Sequence, residues 1–171
     1  MNNTILNTTN PCDEIIPNLY LGSIKALGTY ECKALDYYMV VDLIKHTILV
    51  DNPNPNPNSN PNPNPTTHIY INLPVHDSPD ECDKLLSLIH ETQVLEKIHL
   101  ALQENKPVLV HCFAGMQRSC ALVACYLIKY NNMTPDEAID YIKLKRPIAF
   151  FGNVNFMETI LFFSKNLVYI D

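Results

Sequence analysis

The residues best equipped for chemistry stand together in HCFAGMQRS, positions 111–119. Cys112 precedes Arg118 by six positions, Gly115 lies midway between them and Ser119 closes the stretch. A short apolar run, 107–110, comes before it and a long one, 120–128, comes after. That order predicts a strand, a tight loop and a helix. A loop so placed turns successive backbone N–H groups inward over a helix N-terminus and makes a concave anion site. Gly115 permits a backbone conformation that a side chain would resist. Arg118 offers a planar fork of donors to two oxygens of one phosphate. The same N–H groups and guanidinium favour a thiolate at Cys112, since cysteines in such surroundings titrate at roughly 3.5–7.5 instead of about 8.5. The loop is therefore expected to hold a phosphate and a nucleophile against each other. The plainer reading is a strand-to-helix corner with a buried cysteine. Five fixed residues at about 5% usage each would match by chance in fewer than ~1 in 1,000 chains of this length.

The surrounding chain must position that loop. Its 171 residues suit a single domain. Residues 1–11 are polar and Asn-rich and read as a loose end, leaving a domain over 12–171. A short strand is expected over 19–21, and Thr29 can cap a helix over 30–38. The run 39–44 is apolar and β-branched, a buried strand interrupted by Asp42, which reads as a strand-edge or loop-facing carboxylate. Residues 51–65 read DNPNPNPNSNPNPNP. Alternating proline removes every second backbone donor and leaves nothing apolar to bury, so a solvated loop insertion is expected. A strand over 68–73 should deliver Asp77 near its C-terminal end. Ser78, Pro79, Asp80 and Glu81 form a capping-box pattern, opening one helix that carries Leu85, Ile89, Leu95, Ile98 and Leu102 and stops before Pro107. Val108 to Val110 reads as the central strand. Helices follow over 119–130, stopped by Asn131 and Asn132, over about 135–145 behind a second capping box at Thr134, and over 155–167. Short strands alternating with helices imply an α/β fold with a central, mostly parallel sheet covered on both faces. The loop then lies at the carboxyl end of a strand, where such sheets bind ligands.

A formal net charge of −6 argues against nucleic acid or an anionic membrane surface as the main partner. The first ten residues lack a hydrophobic secretory segment and no apolar run approaches a membrane span. The six cysteines are accordingly expected to be reduced and the protein cytoplasmic. No Cys/His spacing suggests a zinc site, so His68 and His76 read as ordinary residues and neither metal nor cofactor is expected. A monomer is the default expectation.

HCFAGMQRS followed by CALVACYLI resembles the HCxxGxxRS signature of the cysteine-dependent protein phosphatases, and ACYLI resembles the helix of their dual-specificity branch. IIPNLYLGSIKAL at 15–27 is similar to that branch's opening strand segment, LPVHD ending at Asp77 to its general-acid segment, and KRPIAFFGNVNFM at 145–157 to its arginine-to-asparagine stretch. The likeness covers about residues 13–167, the loop motif being its most specific part, and the Asn-Pro insertion has no counterpart in it. It implies a protein phosphatase acting on phosphotyrosine and on phosphoserine or phosphothreonine. Cys112 would then attack phosphorus and form a cysteinyl phosphate. Arg118 and the N–H groups of Phe113, Ala114, Gly115, Met116 and Gln117 would bind the equatorial oxygens. The leaving oxygen needs a proton from a nearby carboxylic acid. Asp77 matches the family's segment; its rival Asp80 falls in a first helical turn, where the helix dipole favours the charged form and makes a poorer acid. The resemblance further implies that Ser119 hydrogen-bonds the Cys112 sulfur, although it can also serve as a helix cap. Asn153 matches an asparagine that braces the loop, with Gly152 in place of the usual proline and one extra residue before it. His111 is expected to order the loop from beneath. Cys120 and Cys125 read as small buried hydrophobes. Cys82 or Cys32 is a candidate for a reversible disulfide with Cys112 after oxidation.

Two other readings compete. A phosphoinositide or an RNA 5′-phosphate would use the same loop, but such multiply anionic substrates favour added lysine or arginine, and Phe113, Ala114, Met116 and Gln117 carry no charge. A non-catalytic phosphoprotein-binding module would need neither the nucleophile nor the acid, and both are present.

Overall fold

In a computed structural model, which describes residues 10–27, 36–45 and 69–167, the apolar runs become five strands. They are β1 (Cys12–Ile16), β2 (Leu19–Ser23), β3 (Met39–Asp42), β4 (Ile69–Asn72) and β5 (Val108–Cys112). They form one sheet in the order β1-β2-β5-β3-β4. The β1–β2 pair is antiparallel and the other three pairings are parallel, with Ser23 opposite Cys112 and Asp42 opposite His111. All five residues of β5 are buried, as a central strand requires.

Side-chain alternation divides the strands between two faces. Leu19, Leu21, Met39, Val41, Val108 and Val110 join the main core beneath the helices. Leu109 turns the other way and packs on Ala26 and Tyr37, with Tyr20 and Val40 around them. Among the described residues that second face is covered by a 3₁₀ turn, Ile24–Leu27, and by Tyr37.

Among the described residues five α-helices follow: α1 (Cys82–Thr92), α2 (Val94–Gln103), α3 (Arg118–Asn131), α4 (Pro135–Lys145) and α5 (Met157–Leu167). Every residue of α3 from Arg118 to Ile128 is buried. This helix packs against α4, α5 and β5 and forms the centre of the helical layer. Asn132 ends it in the left-handed conformation, as its sequence position suggested. The Thr134 capping box is complete, with the Thr134 side chain accepting from Glu137 N–H and the Glu137 side chain accepting from Thr134 N–H.

The single long helix expected after Ser78 is two. At about 100° per residue, Cys82, Leu85 and Ile89 lie on one face of a straight helix, and Val94, Leu95, Ile98 and Ala101 lie on the opposite one. Both sets are buried. Gln93 resolves the conflict by adopting φ +51° and re-aiming the chain between α1 and α2. The expected capping box at Ser78 is half formed. Ser78 caps a 3₁₀ turn, Pro79–Glu81, whereas the Glu81 carboxylate accepts from His76 N–H and Lys84. The last helix begins at Met157, because Asn155 is engaged elsewhere (below). Residues 36–38 are not helical: Asp36 has φ +43°, and Tyr38 N–H donates to Pro107 carbonyl on the way into β3. Asn10 and Pro11, placed in the loose end by sequence, are anchored. Pro11 carbonyl accepts from Ser23 N–H at 2.8 Å and Asn10 carbonyl from Arg146 at 3.1 Å. The remainder of that end, residues 30–35 of the expected helix, Cys32, His68 and the Asn-Pro insertion lie outside the described residues.

Candidate active site

The 113–117 loop joins the C-terminal end of β5 to the N-terminus of α3. In a trans peptide the carbonyl of one residue and the N–H of the next point in opposite directions. An outward carbonyl therefore implies an inward N–H. The carbonyl of Phe113 accepts from Ile24 N–H at 3.2 Å, and that of Met116 from Phe150 N–H at 2.7 Å. Ala114 and Gly115 carbonyls accept from the Arg146 guanidinium at 3.5 and 2.8 Å. Four successive carbonyls are thus held on the outside, and the N–H groups of Ala114, Gly115, Met116 and Gln117 face the hollow. Gly115 takes φ +67°, and a Cβ there would fall 2.6 Å from the carbonyl carbon of Gly22. This is the residue at which the turn needs glycine.

Cys112 sits at the floor of the hollow, 1% exposed. Its sulfur receives the Gly115 N–H at 3.3 Å and the Ser119 hydroxyl at 3.2 Å. Ser119 is in the first turn of α3 and makes no cap; Gln117 holds the N-cap position without a side-chain cap bond. Arg118 is buried and spends Nη1 on the carbonyls of Leu43 and Val75, both at 3.2 Å. Nε is buried with no hydrogen-bond partner. The guanidinium is therefore fixed by one nitrogen and offers the rest of its fork to an anion.

Asp77 follows β4 and places Oδ2 4.0 Å from Arg118 Nε. Its Oδ1 accepts from the Asn155 side-chain amide at 3.0 Å. Asp80 is exposed, and its carboxylate accepts from the Ser78 hydroxyl at 3.5 Å, within its own turn. Of the two candidate acids, Asp77 is the one brought to Arg118. His111 is buried in β5, its carbonyl accepts from Leu43 N–H, and its Nε2 lies 3.8 Å from an Asp42 carboxylate oxygen. Asp42 is itself buried at the end of β3 and accepts from Ile44 N–H and the Tyr70 hydroxyl. Burial, and then this hydrogen bond, push the Tyr70 hydroxyl up to about 12.

Three contributions escaped the sequence reading. Arg146, 1% exposed, holds the loop carbonyls while its Nη1 pairs with the Asp13 carboxylate. Gln117, counted among residues facing the phosphate, turns its side chain away: Nε2 donates to the carbonyls of Phe151 and Asn153, and Oε1 accepts from Asn155 N–H. Asn153 is exposed and meets the loop through its main chain, whereas Asn155 supplies the side chain that reaches Asp77. For Arg146 and Asn155 the only signal was their presence in the stretch 145–157, because their partners lie far away in sequence.

Cys82, Cys112, Cys120 and Cys125 are free thiols. Burial pushes the Cys120 and Cys125 thiols far up, as befits small hydrophobes in the core. The Cys82 thiol donates to the Asn155 carbonyl at 3.5 Å. His76 is exposed, its ring 3.1 Å from Lys45 Nζ. Among the described residues no group of three His, Cys, Asp or Glu is arranged to hold a metal, and no helix is long and apolar enough to cross a membrane.

The family model for the dual specificity phosphatase catalytic domain matches residues 19–166. The tyrosine-protein phosphatase yvh1 of Schizosaccharomyces pombe is 31% identical over 157 residues, which is 90% of this chain and 42% of that protein. The tyrosine-protein phosphatase vhp-1 of Caenorhabditis elegans is 31% identical over 160 residues, 90% of this chain and 21% of that one. The chain thus spans less than half the length of either relative. The crystal structure of human DUSP28 superposes with a TM-score of 0.71 at 22% identity, covering 94% of this chain and 97% of the other, and shares the fold. A catalytic-domain match over nearly the whole described chain agrees with a loop built to expose a thiol among inward N–H groups, and the chain belongs to the dual-specificity phosphatase family.

Proposed function

We propose that the protein hydrolyses phosphate monoesters on protein side chains, phosphotyrosine as well as phosphoserine and phosphothreonine, through a cysteinyl phosphate. The observation that carries this reading is the Cys112 sulfur held by Ser119 and Gly115 within a loop whose Phe113, Ala114, Gly115 and Met116 carbonyls face outward. In the first step a sulfur lone pair of Cys112 attacks phosphorus. The bond from phosphorus to the substrate oxygen breaks, and that oxygen takes the proton of Asp77. Negative charge on the equatorial oxygens meets the inward N–H groups and the Arg118 fork. In the second step water attacks phosphorus and gives a proton to Asp77. The S–P bond breaks, and the departing Cys112 thiolate is stabilised by the Ser119 hydroxyl. A protein substrate is favoured over a multiply anionic one because Phe113, Ala114 and Met116 add no positive charge and Gln117 is turned away. A thiolate nucleophile needs a reducing compartment, and we place the protein in the cytoplasm on that ground. The test is hydrolysis of a small aryl phosphate, with chelator present, by the native protein and by Cys112→Ser. Activity in the first alone supports the nucleophile and a metal-independent reaction; phosphopeptides then rank tyrosine against serine and threonine. A folded but inactive native protein would favour a binding module, and activity surviving in Cys112→Ser would overturn the assignment.

A further inference from the structure

The general acid must do more than be near: its proton has to sit on the oxygen that faces the leaving group. A carboxyl group has two oxygens, and the two oxygens of Asp77 stand in different surroundings. Oδ1 receives the Asn155 Nδ2–H at 3.0 Å, while Oδ2 lies on the Arg118 side, 4.0 Å from Nε. We propose that Asn155 is a positioning residue for the general acid, its amide reserving Oδ1 as an acceptor so that the transferable proton of Asp77 resides on Oδ2. This rests on Asp77 being the acid.

An amide NH₂ donates and cannot accept, and the carbonyl oxygen of a neutral carboxyl is a better acceptor than its hydroxyl oxygen. With Asn155 on Oδ1, the neutral carboxyl therefore carries its O–H at Oδ2, toward the phosphate site. The ionised carboxylate keeps the same contact, so the group need not turn between donating a proton to the leaving oxygen and taking one from water. A free carboxyl rotates and presents the wrong oxygen for part of the time; a fixed one does not.

Asn155 is itself held by the phosphate loop. Its N–H donates to Gln117 Oε1 at 3.1 Å, and Gln117 Nε2 donates to Asn153 carbonyl at 2.7 Å. Gln117 is 6% exposed and adjoins Arg118 in sequence, so the residue next to the phosphate clamp also sets the acid's partner. From the other side the Cys82 thiol donates to Asn155 carbonyl, and Thr159 hydroxyl donates to Cys82 carbonyl at 2.9 Å. These contacts fasten the start of α1, just beyond Asp77, to the approach to α5. One path thus runs from loop to acid: Gln117, Asn155, Asp77.

The readout is kcat/KM for a series of aryl phosphates whose leaving groups range from acidic phenols to phenol itself, because kcat/KM covers only the steps through departure of the leaving group. A good leaving group needs no proton; phenol does. In Asn155→Ala, kcat/KM for phenyl phosphate should fall about tenfold, the value of one lost hydrogen bond to a charged group. For the most acidic leaving group it should stay within about twofold by the same reasoning. Asn155→Asp, which keeps the size and removes the donor, should steepen the series likewise and serves if the alanine variant folds poorly. In an Asp77→Asn background, Asn155→Ala should cause no further loss. A uniform fall across the series, no fall, or an undiminished loss in the Asp77→Asn background would overturn the positioning role. If Asp77→Asn itself leaves the series flat, the assignment of the acid falls, and the role of Asn155 with it.

Discussion

Gly115 and Gly152 both carry positive φ, +67° and +81°, but only one of them is crowded. A Cβ at Gly152 meets nothing within 4 Å. A Cβ at Gly115 falls 2.6 Å from the carbonyl carbon and oxygen of Gly22 and 2.8 Å from Arg146 Nη2. Gly152→Ala therefore incurs only the left-handed backbone strain of an L-residue, about 1–2 kcal/mol. Gly115→Ala incurs that strain and an overpacking cost of about 1–3 kcal/mol, because main-chain atoms of β2 cannot rotate aside as a side-chain tip can. The sum is about 2–5 kcal/mol. The structure has two ways to relieve the contact: to push the loop away from β2 or to loosen the Arg146 bonds to Ala114 and Gly115. Either displaces the Gly115 N–H from the Cys112 sulfur, now 3.3 Å away. Loss of one such donor lowers turnover by about 10²–10³ in enzymes that depend on them. Urea unfolding of both variants gives the stability difference, provided the slope with denaturant is unchanged. Aryl phosphate turnover by the folded fraction gives the catalytic one. Gly115→Ala should lose more of both, and Gly152→Ala should keep most of its activity. Equal destabilisation of the two, or native turnover in Gly115→Ala, would refute the argument that close approach to β2 shapes the loop.

Two further outcomes are expected. Arg146→Lys keeps one positive charge but cannot reach Asp13, Gly115 carbonyl and Ala114 carbonyl together; it should cost about 1.5–3 kcal/mol in unfolding experiments and lower turnover, with Asp13 pairing retained. Glu137 has its carboxyl held below the ordinary value of 4.5, first by the Thr134 N–H and then by the Thr134 hydroxyl. A lowered folded value means a stabilising contribution that is complete above the unfolded value and disappears as pH falls through the folded one. The stability advantage of the native protein over Glu137→Gln should therefore be present at neutral pH and vanish in acid, as denaturation at a series of pH values will show.

Much of the fold is local in origin and was legible. The short strand at β2 and the apolar run at β5, the proline and acids that open α4, and the Asn132 stop of α3 are short-range patterns read within one or two turns. The long stretch after Ser78 misled because helical spacing holds within each half; only the existence of one common core exposes the two stripes as facing opposite ways, and Gln93 carries no distinctive signature for the turn it makes. Asp77 was singled out by the likeness of LPVHD to the family's acid segment and preferred to Asp80 for lying outside the helical turn, and Asn153 was singled out by likeness of pattern. That Asn155 supplies the side-chain contact depends on where α1 and α5 bring their ends together.

The sequence by itself determined that a cysteine, a guanidinium and a serine share one site, because all three lie in one nine-residue stretch whose spacing leaves a strand-loop-helix little freedom. Tertiary structure alone decided what holds that stretch in shape. Loop carbonyls need donors from outside the loop, and these come from Ile24, Arg146 and Phe150, residues 31 or more positions from the nearest loop partner except through the β-sheet pairing that returns β2 beside β5. Hydrogen bonds of that range are satisfied by packing, and no local pattern announces them.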